Sequence, residues 1–328
     1  MQTGDGQTPA TGMWAKINRV AWPLIGLAVA AFALYLLVRE LRHMSLADIT
    51  SALGRVPPLH WLGAFCGAGL AYSALAWYDR LALQHLGKHL SWPFIALASF
   101  TSYALSHNIG ASVLSGAVVR YRAYSTKGLT APEIGVLVAL TGFTFILGVI
   151  ILVGLVLVTQ PHFAERFFNL PSWLAPLVGV GMLGAVGLYV AGSLLGLKPL
   201  VIGGFSIFYP KPPIVFRQLI VGPMELIGAA AIVYFCLPAE GNPGYFIVLG
   251  IFVASFSLAV ASHAPGGIGI LEYLFITALR DIPPADVLAA LLIFRFFYLV
   301  LPLSISLVVV LAFEREQFVV RRDEGTPG

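Results

Sequence analysis

Charge is what this chain has least of. Aspartate, glutamate, lysine and arginine make up 10% of its 328 residues, against about 25% in soluble domains, and that shortage excludes a fold with a solvated surface. Cysteine is as scarce: Cys66 and Cys236 both fall in apolar runs, without the spacing of a redox pair or a disulfide framework. Each reads as a small buried hydrophobe. No basic run is long enough to grip RNA or DNA, so nucleic acid is not an expected partner. The metalloprotease, Walker and dinucleotide motifs are absent. His85 and His89 stand four apart with no third ligand near, so neither metal nor cofactor is expected. No polar stretch is long enough for a soluble catalytic domain, which needs about 50 residues or more.

What is present is apolar: 59% of residues are hydrophobic and the mean hydropathy is +0.89. A membrane helix needs about 20 such residues to cross roughly 30 Å of hydrocarbon. On that measure spans are expected near 22-38, 59-78, 91-108, 133-158, 172-195, 213-236, 245-263 and 285-313. The fold class is therefore all-α, a polytopic membrane protein of about eight transmembrane helices. Residues 1-15 are polar and Gly/Thr-rich and read as a disordered tail. Residues 16-313 form a single membrane domain, with candidate halves 16-165 and 166-313, and 314-328 a short polar tail. The first apolar run is closed by Arg39 rather than by a cleavage site, which favours a retained helix. Lysines and arginines divide almost evenly between the two sides, so charge does not orient the chain. The Arg321-Arg322 tail favours cytoplasmic termini.

Two places break the apolar pattern. Ser262 to Glu272 reads SHAPGGIGILE, and Ser106 to Gly116 reads SHNIGASVLSG. Hydrocarbon tolerates irregular backbone only where protein or a water-filled cavity covers it. Paired interruptions in two halves are the sequence pointer to a transporter-type site at mid-membrane. Ile109 to Val119 and Ile268 to Ala278 are each too short to cross, and read as re-entrant segments following the breaks. The alternative is a kink within one long helix. The rest of the halves does not visibly align, so the two-fold internal repeat stays an open alternative. Gly63 with Gly67, and Gly192 with Gly196, have the four-residue spacing that lets helices approach closely.

The polar residues inside this framework are the candidate site. Gly266 and Gly267 would bring backbone amides at a helix start close to an anion such as phosphate, with Glu272 just beyond, although a simple turn with a solvated acid is the alternative. Arg120 and Arg122 lie in VVRYRAYSTKG, where guanidinium groups suit phosphate and snorkelling at the surface is an equal account. Arg295, in LLIFRFFYLVLPLS, must find a partner, because an arginine at a span centre costs about 2.5–3.5 kcal/mol. Arg217, Glu225 and Arg295 are expected to form a buried charge network, with Glu225 the first choice of partner and Glu272 the second. It would serve structure or a substrate pathway equally well. His107 and His263 would hold a proton or a headgroup, or satisfy loose carbonyls. Gly110-Ala111-Ser112 beside these histidines is a faint serine-protease-like pattern, too common a triplet to carry an enzyme reading.

SHNIGASVLSGAVVRYRAYSTKGLT and SHAPGGIGILE together resemble the membrane (flippase) domain of the bacterial lysylphosphatidylglycerol synthetase/flippase family, MprF-type, and its stand-alone YbhN-like members. The similarity runs over nearly the whole membrane region. The resemblance implies a flippase-like fold, residence in the bacterial inner membrane as a multi-pass protein, and membrane phospholipids as partners. It places Arg120, Gly266, Gly267 and Glu272 around a lipid site. The family's soluble transferase is not seen in this sequence, so synthase activity is not carried over and no enzyme is expected. The alternative is a membrane-embedded lipid-modifying enzyme or a scaffold for one. A second copy of the chain or a lipid-synthesis protein are the partners left open.

Overall fold

The computed structural model describes residues 46–109, 112–162, 165, 171–197, 200–202, 205–207, 210–262 and 265–324. The first expected span, 22-38, lies outside them. The fold is all-α apart from one short hairpin. In chain order the helices are α1 (Leu46–Arg55), α2 (Pro58–His85), α3 (Trp92–Ile109), α4 (Ser112–Ser125), α5 (Ala131–Thr159) and α6 (Leu174–Leu194). The antiparallel strands β1 (Leu200–Ile202) and β2 (Phe205–Ile207) follow, then α7 (Pro212–Cys236) and α8 (Tyr245–Ala261). A 3₁₀ turn (Pro265–Gly267) leads into α9 (Ile270–Ala278). Last come α10 (Pro284–Arg295), a π turn (Phe296–Val300) and α11 (Leu301–Glu324).

Local sequence explains where these helices start. Proline occupies the first turn of α2, α5, α7 and α10, where its missing N–H leaves no helical bond unmade. At the start of α5, Glu133 turns back to accept the Thr130 backbone N–H at 2.8 Å and meets Lys88 Nζ at 2.8 Å. Among the described residues five helical stretches are long and apolar enough to cross a membrane: Pro58–His85, Ala131–Thr159, Leu174–Leu194, Pro212–Cys236 and Pro284–Ala312. α8 is apolar but spans 17 residues. The chain is a polytopic membrane protein.

α7 is the centre. It packs against α2, α5, α6, α8 and α10, and 61% of its most apolar stretch is buried against 11% for α6, which lies at the periphery. Leu188, Ile220 and Leu311 are largely exposed, as befits side chains turned to lipid rather than to water. Glycine sets the close approaches. A Cβ on Gly67 would stand 2.7 Å from the Gly228 carbonyl oxygen, and one on Gly228 2.6 Å from that of Gly67, so α2 and α7 touch backbone to backbone. The second expected pair differs: Gly196 follows the end of α6 with φ of +61°, and Leu197 N–H returns to the Gly192 carbonyl at 3.0 Å. It terminates a helix instead of joining two.

Both breaks reverse the chain. α4 packs back on α3, and α9 packs back on α8. The first short helix runs on to Ser125, well past the expected end at Val119, so Arg120 and Arg122 belong to a helix rather than to the loop after it. The 3₁₀ turn of the second break lies against the body of α3 as well as α8. The turn of the second break is therefore covered by protein on two sides, which is what lets irregular backbone exist at membrane depth.

Candidate functional site

The site is built where α2, α3, α4, α5 and α7 bring polar side chains into an apolar interior. On α2, Asp79 is fully buried, and Arg120 on α4 is 4% exposed. Arg120 donates from Nη2 to Asp79 Oδ1 at 2.9 Å and from Nε to Oδ2 at 3.2 Å. Tyr124, one turn on from Arg120, donates its hydroxyl to Oδ2 at 2.7 Å. The carboxylate is thus saturated by donors, and one guanidinium edge is fixed by it, which leaves Nη1 as the nitrogen Asp79 does not use. Tyr103 on α3 lies with its ring centroid 4.4 Å from the Arg120 Cζ, a cation–π contact that strengthens away from water. Gly116 makes room for this: a Cβ there would stand 3.2 Å from Nη1.

Arg120 opens onto a cavity of about 120 Å³ whose polar lining includes Tyr78, Tyr103, Ser106, His107, Thr141 and Glu225. Glu225 on α7 is 2% exposed and accepts the Tyr298 hydroxyl at 2.9 Å. His107, near the end of α3, stacks on the Tyr298 ring with centroids 5.3 Å apart, and its Nδ1 has no hydrogen-bond partner. The π turn holds Tyr298 in place through its neighbours. Tyr72 donates to the Tyr298 carbonyl at 2.9 Å, and Asn108 to that of Leu299 at 3.2 Å. π turns of this kind disturb the helical ladder and often occur at functional sites. Here the disturbed backbone is served by side chains of α2 and α3.

The glycine break is held by a separate ion pair. Arg295 donates from Nε to Glu272 Oε1 at 2.7 Å and from Nη1 to the Gly266 carbonyl at 2.8 Å. The other carboxylate oxygen of Glu272 accepts the Gly269 N–H at 2.8 Å, capping α9. The Gly266 carbonyl, the Gly269 N–H and both carboxylate oxygens of Glu272 are therefore engaged within the protein. Gly267 is buried, with Ala259 and Leu271 both 2.8 Å from where a Cβ would be.

These contacts redraw the expected charge network. Arg295 pairs with Glu272 rather than with Glu225, because the break folds the start of α9 against α10 while Glu225 lines the cavity beside Arg120. Arg217 stands near the start of α7, donates to Gln84 Oε1 at 2.9 Å and is exposed, so it belongs to the membrane edge and not to a buried network. Arg122 lies on a different face of α4 from Arg120, since two residues turn a helix by about 200°. It lines an apolar trough of about 430 Å³ with Phe94, Leu97, Thr101 and Val309. His263 lies outside the described residues. Among the described residues no group of His, Cys, Asp and Glu could hold a metal ion. Ser106 donates to the Tyr103 carbonyl at 3.2 Å, so it is not engaged with His107 as a nucleophile would be with its base.

A family model for the lysylphosphatidylglycerol synthase transmembrane region matches residues 24–306. The chain belongs to that family. Among its relatives, the uncharacterized protein slr0712 of Synechocystis is 29% identical over 92% of this chain and 94% of its own length. The inner membrane protein YbhN of Escherichia coli is 28% identical over 75% of this chain and 78% of its own. The phosphatidylglycerol lysyltransferase of Staphylococcus aureus strain MSSA476 is 23% identical over 86% of this chain, but the match spans only 32% of that protein. With its membrane-length helices and an inner membrane relative along most of its length, the chain is a multi-pass inner membrane protein.

Asp79 is not among the residues expected from the sequence. The expected span 59-78 leaves it as an acid beyond the membrane, whereas α2 continues to His85. The signal is in the residues: Asp79 lies between AYSALAWY and RLAL, and an ionisable group in so apolar a run requires a partner as Arg295 does. Tyr298, Tyr103 and Tyr78 carried no signal, since a tyrosine among aromatics reads as core.

Proposed function

We propose that this protein moves phospholipid across the inner membrane, with the headgroup passing through the cavity between Arg120 and Glu225. The reading is supported above all by Arg120, a buried cation fixed along one edge by Asp79 and opening onto a polar cavity with the rest of its guanidinium. An arginine at such depth is costly, and one that lines a cavity is suited to phosphate. The relatives named as phosphatidylglycerol lysyltransferases are consistent with a phospholipid as the cargo. Gly266, Gly267, Glu272 and Arg295 hold the second break, and alternating access would rock the two broken segments about the cavity. His107 offers the headgroup an unpartnered nitrogen.

The test is a liposome assay with tail-labelled phosphatidylglycerol and phosphatidylethanolamine, following how much label an external quencher reaches. Arg120→Lys keeps the charge against Asp79 and loses the planar donor set. Movement of lipid by the wild type that falls in Arg120→Lys, with both proteins equally folded, is the expected result. Lipid that stays in its leaflet with folded wild-type protein rejects the reading. Mass spectrometry of the lipids before and after separates transport, which leaves them unchanged, from modification.

A further inference from the structure

Glu225 has a feature that transport of a neutral group would not require. It is a carboxylate buried at the wall of the cavity, and among the described residues it makes no ion pair. The Tyr298 hydroxyl donates to it at 2.9 Å, and the Tyr78 hydroxyl, which donates to the Gly222 carbonyl at 2.8 Å, also lies against it; both are neutral groups. The titratable and charged groups around it are Tyr72 and Tyr78 from α2, Tyr103 and His107 from α3, Arg120 from α4 and Tyr298 from the π turn. α5 and α8 present Val138, Thr141, Gly142, Phe145, Phe256 and Val260, none of which titrates. On α10, Arg295 is committed to Glu272.

The charges can be counted. Arg120 and Asp79 cancel within their own ion pair, so an ionised Glu225 leaves the cavity net negative. Bringing an anionic headgroup beside it places a second negative charge in a low-dielectric space, where like charges a few ångströms apart oppose joint ionisation. Protonation of the carboxylate removes that repulsion, and the protonated acid can still accept the Tyr298 hydroxyl at its other oxygen.

We propose that Glu225 binds a proton together with an anionic lipid headgroup, so that headgroup movement through this cavity is proton-coupled. The proton adds to the carboxylate from water on the side where the lipid enters, giving the neutral acid. It returns to water on the other side when the lipid leaves. No lipid bond changes and no electrons move. The proposal rests on the lipid-transport reading and adds the coupling to it.

The experiment uses the full chain in proteoliposomes with tail-labelled phosphatidylglycerol under imposed pH gradients of either sign. Wild type, Glu225→Gln and Glu225→Asp are compared, beside infrared difference spectra of the same proteins over pH. In the wild type, each unit of gradient is expected to change the rate by up to about tenfold. Glu225→Gln, which keeps the acceptor for Tyr298, is expected to lose that dependence, and Glu225→Asp to retain it. The spectra should contain a titrating carboxylic-acid band that is missing from Glu225→Gln. Lipid movement that ignores the gradient and survives in Glu225→Gln overturns the coupling while leaving transport intact. No lipid movement under any gradient, with the band present, rejects transport and the coupling with it. Absence of the titrating band overturns the proton site whatever the lipid does.

Discussion

Asp79 and Arg120 stand 41 residues apart in sequence and meet at 2.9 Å inside the membrane, with side chains 0% and 5% exposed. Neither residue is tolerable there alone. Each is the reason the other can be buried, and together with Tyr124 they tie α2 to α4 beside the cavity.

Asp79→Ala should strip the counter-charge from Arg120 and cost about 3–5 kcal/mol, the usual penalty for leaving one buried partner uncompensated. Arg120→Leu combined with Asp79→Ala should recover much of that stability and none of the lipid movement. Thermal unfolding in detergent alongside the liposome assay checks both halves, and a double variant that still moved lipid would take the pair out of the site.

Arg120 and Arg122 should separate in function although they are neighbours in sequence. Arg122→Ala is expected to leave lipid movement within about twofold of wild type, a difference of roughly 0.4 kcal/mol in barrier, because Arg122 lines the outer trough. Equal loss in both variants would place the trough on the pathway.

The contact of α2 with α7 should be intolerant of any side chain. Gly67→Ala and Gly228→Ala both push a methyl into backbone, and overpacking of this kind costs about 1–3 kcal/mol. Gly69→Ala, where a Cβ would meet nothing within 4 Å, is the control and should be neutral. Detergent melting temperatures of the three variants decide it.

Gly267→Ala should be worse than Gly266→Ala. Both glycines have positive φ, +62° and +59°, which costs an L-residue about 1–2 kcal/mol. Gly267 adds the collision with Ala259 and Leu271, whereas the nearest atom to a Cβ on Gly266 is Arg295 Nη1 at 3.5 Å. Relative yields of folded protein after gentle extraction would rank them, and the reverse order would contradict the packing at the turn.

Two ion pairs should differ in worth. Arg55–Asp286 joins α1 to α10 with the arginine side chain 60% exposed, so Arg55→Gln should cost between about 0 and 1 kcal/mol and less in high salt. Arg295→Gln frees both Glu272 and the Gly266 carbonyl. It should loosen α9, visible as faster amide hydrogen exchange from Ile270 to Ala278 with α2 unaffected.

Much of this could be read from the amino acids alone, because the bilayer makes a one-dimensional demand. Apolar length marks helices whatever their neighbours, so α2, α3, α5, α6, α7, α8 and α10–α11 lie where hydropathy put them, and the glycines and proline of SHAPGGIGILE betrayed a break that hydrocarbon would reject. Family membership was legible in the same two motifs. Partnership was not. Which acid neutralises Arg295 depends on how α9 folds back, and along the sequence Glu225 ranks ahead of Glu272, the partner Arg295 has. That Arg120 faces inward while Arg122 faces the trough depends on where α4 begins and how it rotates against α2. Asp79 mattered only once α2 was seen to run past the point where its hydropathy fades. Burial cost is set by single residues and can be read along a chain, whereas the pairing that offsets it is set by the approach of helices distant in sequence, and only the packed structure decides that.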